Sequence, residues 1–193
     1  MVAWEWMIGP GGVAAAVVSV LLVGAILTYN QLARGQLRVS EAWSGIAVQL
    51  QRRGDLIPNL IESVKGYAAL EREIFQTVTE ARTALRRATG PGEATSANTR
   101  LTRALGQLFA VAENYPDLRA SENFRSLQQE LSAVEEKIAY ARQFYNRNVL
   151  AYNAMISTFP HMLMARIAHF ESGQSSKRSL RSNSLRSETT IPG

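Results

Sequence analysis

From residue 10 to residue 30 the chain carries no charged side chain; directly afterwards, apolar residues recur only at every third or fourth position. The first pattern predicts a helix that is apolar all round, the second a helix with one buried stripe. Pro10 suits the first helical position, where a missing N–H costs nothing. About 20 residues from there to Tyr29, at about 1.5 Å each, give roughly 30 Å, the thickness of a bilayer core. Trp4 and Trp6 before the run and Tyr29 at its end are expected as membrane-interface anchors, since their amphipathic rings favour the headgroup layer. A cleaved signal peptide would need a basic leading segment. Here that segment carries Glu5 and no Lys or Arg, and the run ends in Ile26-Leu27-Thr28-Tyr29 without a small-x-small site. Arg34 and Arg38 follow the run, so the positive-inside bias puts the N-terminus outside and the bulk of the chain in the cytoplasm.

Beyond the run the periodicity is helical throughout, with no strand-like alternation. Helix 1 continues with Leu32, Val39 and Ile46 on one row and Trp43 and Leu50 on the next, and is expected to stop near Arg53-Gly54. Asp55 then caps a second helix with Pro58 in its first turn and Leu60, Val64, Tyr67, Ile74, Val78, Ala81 and Leu85 on its buried face. Gly90-Pro91-Gly92 ends it. A shorter helix carries Leu101, Leu105, Leu108 and Ala112 and breaks at Asn114-Tyr115-Pro116-Asp117, because a residue before proline is pushed away from helical angles. Ser121 opens the longest helix. In it Phe124, Leu131, Ile138, Tyr145, Tyr152 and Phe159 are spaced seven apart, with Leu127, Val134, Ala141 and Met155 beside them, until Phe159-Pro160 closes it. So sustained a heptad means coiled-coil-like packing in a bundle. The expected fold is all-α: a transmembrane helix over 10–30 after a short external segment over 1–9, an antiparallel up-and-down four-helix bundle over 31–171, and a basic, Ser-rich disordered tail over 172–193.

Composition narrows the chemistry. The 193 residues, 46% of them hydrophobic, allow one span and one domain with a core, and the absence of cysteine removes disulfides, thiolate nucleophiles and thiolate metal sites. Of the net charge of +5, Lys177, Arg178, Arg181 and Arg186 against Glu188 put about three charges in the tail. His161 and His169 stand eight apart without carboxylates in a ligand-like pattern, and no Glu lies three before a His, so neither a metal site nor a di-iron bundle is expected. Glu71 and Glu73, like Glu135 and Glu136, point to different helix faces and make no acid/base pair. Ser157 and Ser172 lack a Gly-x-Ser-x-Gly element, and Gly9-Pro10-Gly11-Gly12 lacks the Lys-Ser/Thr of a phosphate loop. Arg53-Gly54-Asp55 spells an adhesion tripeptide, but on an expected cytoplasmic turn with Asp55 as a cap. The tail has no aromatic residues for stacking on bases, so anionic lipid or solvent is expected there rather than nucleic acid. No enzyme activity and no cofactor are expected.

Tyr29-Asn30, Glu41-Ala42-Trp43, Val48-Gln49-Leu50, Arg52-Arg53, Asp55-Leu56-Ile57-Pro58-Asn59-Leu60, Lys65-Gly66-Tyr67 and Ala81-Arg82 resemble the N-terminal half of the LemA family. Ala112-Glu113-Asn114-Tyr115-Pro116, Asn123-Phe124, Leu127-Gln128, Glu135, Ile138-Ala139, Ala141-Arg142, Tyr145-Asn146, Tyr152-Asn153 and Phe159-Pro160 continue that family's order and spacing, so the resemblance covers residues 29–165. The sequence departs at Leu37 and Ala47, where the family tends to carry Asn and Asp, at Gly54 in place of a larger residue, and at a C-terminal end without Gly-Phe. The resemblance implies a bacterial single-pass membrane protein with an antiparallel four-helix bundle and no established enzymatic activity; one branch of the family is linked to building magnetosome membranes.

These features lead to the expectation of a membrane-anchored scaffold or adaptor. Its partners would be the lipid bilayer, an unidentified protein and, in a homo-oligomer, other copies of the chain. The alternative is a sensor that transmits a signal through the anchor helix. Two turns, Arg52 to Pro58 and Glu113 to Ser121, are expected at the membrane-distal end, making Arg52, Arg53, Asp55, Glu113, Tyr115 and Asp117 the candidate partner surface. Met162, Leu163, Met164, Ile167 and Phe170, with Lys177, Arg178, Arg181 and Arg186 of the tail, are the candidate lipid-facing residues.

Overall fold

The structure is a computed structural model that describes residues 10–66 and 72–173. Over these residues the chain is all-α: α1 Pro10–Val64, α2 Arg72–Arg87, α3 Pro91–Ala112, α4 Pro116–Ala120, α5 Glu122–Ser157 and α6 His161–Ile167. Trp4, Trp6, Tyr67, Glu71 and the basic tail residues Lys177, Arg178, Arg181 and Arg186 lie outside the described residues.

The boundary expected at Arg53-Gly54 does not exist. α1 runs on for eleven further residues, to Val64, with Pro58 in its interior. Proline lacks the N–H that would bond the carbonyl four residues earlier, which here belongs to Gly54. That carbonyl is instead satisfied from another helix: Arg82 Nε on α2 donates to Gly54 O at 2.8 Å. Asp55 is therefore an exposed residue within a helix rather than an N-cap, and Leu60 and Val64 are buried on α1. The turn after α1 begins at Lys65-Gly66.

The described residues divide into two compact units, 10–39 with 148–173 and 40–147 without the undescribed 67–71. In the first, Val13, Val17, Val20, Leu21, Ile26 and Leu27 are all exposed, and α1 is long and apolar enough to cross a membrane. Leu32 and Gly35 then turn inward, Gly35 so close to Tyr152 that a Cβ there would lie 3.0 Å from the ring. A cis Phe159-Pro160 bond precedes α6. α6 ends at Ile167; two residues on, His169 has a left-handed φ of 54°, and Phe170 N–H reaches back to Ala165 O at 2.9 Å, the six-to-one bond of a Schellman-type cap. The reversal sets Phe170 edge-on to Tyr29, with centroids 5.7 Å apart, and Asn153 closes the segment with paired bonds to the Gly173 backbone.

The second unit packs α2, α3, the Ser40–Val64 part of α1 and the Glu122–Arg147 part of α5. Trp43 meets Tyr145 and Arg53 meets Glu135, so α1 and α5 run antiparallel. Gly54 meets Arg82, and Leu50 and Gln51 share a groove with Leu85 and Arg86, which makes α2 antiparallel to α1 as well. Leucines 101, 105 and 108 of α3 and Leu131, Val134 and Ile138 of α5 fill the core. Between α2 and α3, Gly90 is the N-cap and Pro91 takes the first helical turn, so Pro91-Gly92 opens α3 rather than only closing α2. Glu93 reaches back to accept from Thr89 N and Oγ1, both at 3.1 Å.

Candidate functional site

Continuing the row Leu32, Val39, Ile46 by seven residues reaches Arg53, and by seven more Leu60. Residues on one heptad row share one face, so helix geometry carries a guanidinium into the seam between helices. Arg53 is 3% exposed. A charge at such a position must be paired and hydrogen-bonded, and three neighbours provide for it. Arg53 Nη1 donates to Asn98 Oδ1 at 2.5 Å and to Thr102 Oγ1 at 3.0 Å, and forms an ion pair with Glu135 Oε2 at 2.6 Å. Asn98 is itself buried in α3, where its carbonyl accepts from Thr102 Oγ1 at 3.0 Å. One side chain of α1 thus bonds two elements, α3 and α5.

Arg142, seven residues after Glu135 on α5, adds a second guanidinium, and its Nε and Nη2 are buried without a hydrogen-bond partner. Burial pushes both arginines below the ordinary guanidinium value; Glu135 opposes the shift at each, and at Arg53 the charge of Arg142 adds to it. Two cations around one carboxylate leave the centre net positive. Burial also raises the phenols of Tyr145 and Tyr152 above their ordinary value. Beside the centre, Arg53, Thr102, Phe109, Gln128, Ser132 and Glu135 line an open groove of about 560 Å³ between α3 and α5. A guanidinium stays protonated and so neither gives nor takes a proton in this arrangement. What the centre can do is fix register among helices and present positive charge to the groove. Among the described residues no group of three His, Asp or Glu side chains is placed to hold a metal ion.

Residues 42–184, most of the chain, match the model of the LemA family. The chain belongs to the LemA family. It is 28% identical over 189 residues to Magnetosome protein MamQ 2 of Paramagnetospirillum magneticum, covering 82% of this chain and 70% of that one. With Magnetosome protein MamQ of Magnetospirillum gryphiswaldense it shares 26% over 193 residues, 84% of this chain and 71% of the relative. Protein LemA of Metamycoplasma hominis is 31% identical over 134 residues, 67% of this chain and 60% of that protein.

In this LemA-family chain the six residues expected to form one partner surface differ in burial and in the element that carries them. Arg53 is in the core, because its heptad position faces the other helices, and it reaches the outside only as part of the lining of the groove between α3 and α5. Arg52 and Asp55 are exposed, but on the body of α1, about 15 Å before its end at a helical rise of 1.5 Å per residue. Glu113 and Asp117 are exposed and Tyr115 half-buried at the α3–α4–α5 corner. Of the expected interface residues, Tyr29 is exposed on one side while its ring meets Phe170. Met162, Leu163 and Ile167 are exposed on α6, whereas Phe170 is half-buried against Tyr29. Phe159, expected to end the buried row of α5, is 79% exposed, because α5 stops at Ser157 before that turn of the row is completed. Of the two histidines, His161 Nε2 lies 2.7 Å from Gln31 Oε1, and His169 takes the left-handed position just past the Ala168 cap of α6.

Proposed function

We propose that this LemA-family chain is a membrane-anchored helical scaffold or adaptor that acts without catalysis, organising membrane or recruiting cytoplasmic proteins or other copies of itself. The observation that carries the reading is the division of labour along α1. One helix supplies an exposed apolar run over 13–24, and its later residues contribute the core stripe Ile46, Leu50, Ile57, Leu60 and Val64. An exposed apolar surface of that length is matched to lipid, and the stripe to partner helices. Similarity to proteins named as magnetosome proteins supports a membrane setting. A register-fixing role for the polar centre is supported by Arg53 Nη1, which bonds α3 and pairs with α5 within its own unit.

Crosslinking in intact membranes, followed by capture of the full chain, tests the proposal. The expected result is a reproducible set of crosslinked proteins or multimers that disappears when residues 1–30 are removed. A set that persists unchanged without the anchor overturns the scaffold reading. A reporter after Gly193 is expected on the cytoplasmic side and one before Trp4 outside; the reverse labelling overturns the orientation.

A further inference from the structure

Phe159, Leu163 and Ile167 follow one another at intervals of four and are 79%, 57% and 67% exposed, with Met162 beside them. Large apolar side chains in such a row on a short amphipathic element call for a cover. Two contacts say where the row lies. His161 at the start of α6 meets Gln31 at 2.7 Å, and Phe170 after its end meets Tyr29 at 5.7 Å. Both ends of α6 are thus tied to α1 at Tyr29 and Gln31, where the uncharged run over 10–30 ends, the level at which a helix entering at Pro10 leaves the hydrocarbon. Arg34, Arg38 and Arg166 are exposed near this level and complement anionic headgroups.

We infer that α6 with Phe159 is an interfacial element that lays Phe159, Leu163 and Ile167 into the headgroup and upper acyl layer of the bilayer, a second membrane contact beside the span. The inference rests on the reading of α1 as the anchor. The tie at Tyr29 accounts for Phe170: it is the hinge that fixes α6 to α1, and the lipid contact falls to Phe159, Leu163 and Ile167.

The chain contains no cysteine, so Phe159→Cys, Leu163→Cys, Ile167→Cys and, as anchor reference, Leu21→Cys each give one labelling site in the full-length protein. With a polarity-sensitive label in vesicles of phosphatidylethanolamine and phosphatidylglycerol, the three sites are expected to emit blue-shifted from their emission in water. They should lose most of that emission to lipids carrying a nitroxide near the headgroup, while Leu21 is quenched best by a nitroxide deep in the acyl chain. Water-like, unquenched emission at the three sites with Leu21 quenched overturns the inference and leaves the anchor reading standing. Shielding from both water and lipid overturns it in favour of a protein cover, and an unquenched Leu21 overturns the anchor itself. Hydrogen exchange of the unmodified chain checks the result without any substitution: amides of 161–167 should exchange several-fold more slowly in bilayers than in the same protein held in a short-chain detergent, and equal exchange overturns the inference.

Discussion

Val20 and Leu60 stand on the same helix and are similarly apolar, yet one is 72% exposed and the other fully buried. The difference lies in the pattern around them. Around Val20 the helix is apolar nearly all round, so no rotation could give it one polar and one buried face, the pattern of a candidate membrane span. Around Leu60 apolar residues alternate with Arg52, Asp55 and Asn59 at helical spacing, and the helix buries one stripe against α2, α3 and α5. Continuity of apolar sequence therefore leaves a helix long and apolar enough to cross a membrane, and periodicity selects a protein core, within one uninterrupted element.

Exchanging the two kinds of position should give the largest effects. Leu60→Ala is expected to lower stability by about 2–5 kcal/mol in thermal unfolding followed by circular dichroism, because the vacated volume is enclosed. Leu21→Ala should leave that transition in place. Leu21→Lys, by contrast, should weaken insertion by about 2.5–3.5 kcal/mol while sparing the packed helices, read as the fraction of chain recovered with membranes. Equal responses at the two sites would remove the distinction between lipid-facing and core-facing halves.

In the buried half Arg53 is a charged residue with almost no exposure, and Arg53→Ala tests how far that charge belongs to the core. It strands Asn98 Oδ1 and Glu135. Because the Glu135 side chain is 37% exposed, water screens it, and the expected loss is about 2–3 kcal/mol, below the cost of breaking a wholly buried pair. Arg53→Met combined with Glu135→Leu should recover most of it, since an apolar pair of similar volume needs no partners. A double variant as unstable as the single one would show that Asn98 and Thr102, rather than the ion pair, carry the register.

At Pro58 the comparison sharpens to a single hydrogen bond. Arg82→Ala should destabilise by about 1–3 kcal/mol by orphaning Gly54 O, and Pro58→Ala should offset part of that loss by restoring the helical N–H. Additive effects in this double-mutant cycle would break the account of the proline. The smallest effect is expected at Asp55. Within an exposed helix Asp55→Ala should stabilise by up to about 0.5 kcal/mol, whereas removal of an N-cap would cost about 1 kcal/mol.

The buried rows of α3 and α5 and the break at Tyr115-Pro116 were legible, since leucine and aromatic spacing or a proline decides them locally. The end of α1 was not. Gly54, Asp55 and Pro58 are all helix-stopping or helix-starting residues, and reading them as a turn is correct for an isolated chain. The arginine that satisfies the freed carbonyl lies 28 residues away. The centre at Arg53 was half legible: its row Leu32, Val39, Ile46 was read, whereas the polar row Gln128, Glu135, Arg142, which the sequence carries beside the apolar row of α5, was not. Charge argued for a surface turn, and the partners Asn98 and Thr102 come from a helix whose rotation no single segment specifies.

Sequence alone determined that this protein is helical, that it carries a bilayer-length apolar run and that it belongs among LemA-like chains, because length, periodicity and residue order act locally. Tertiary structure decided three other matters: that α1 passes through Pro58, that Arg53 is a core residue, and that α6 folds back beside Tyr29. Each depends on a distant group, the Arg82 guanidinium, the Asn98–Thr102–Glu135 set and the Tyr29 ring, which satisfies or covers what local sequence leaves open. Hydrogen-bond satisfaction and burial are properties of the assembled neighbours, so they exist only once the helices have packed.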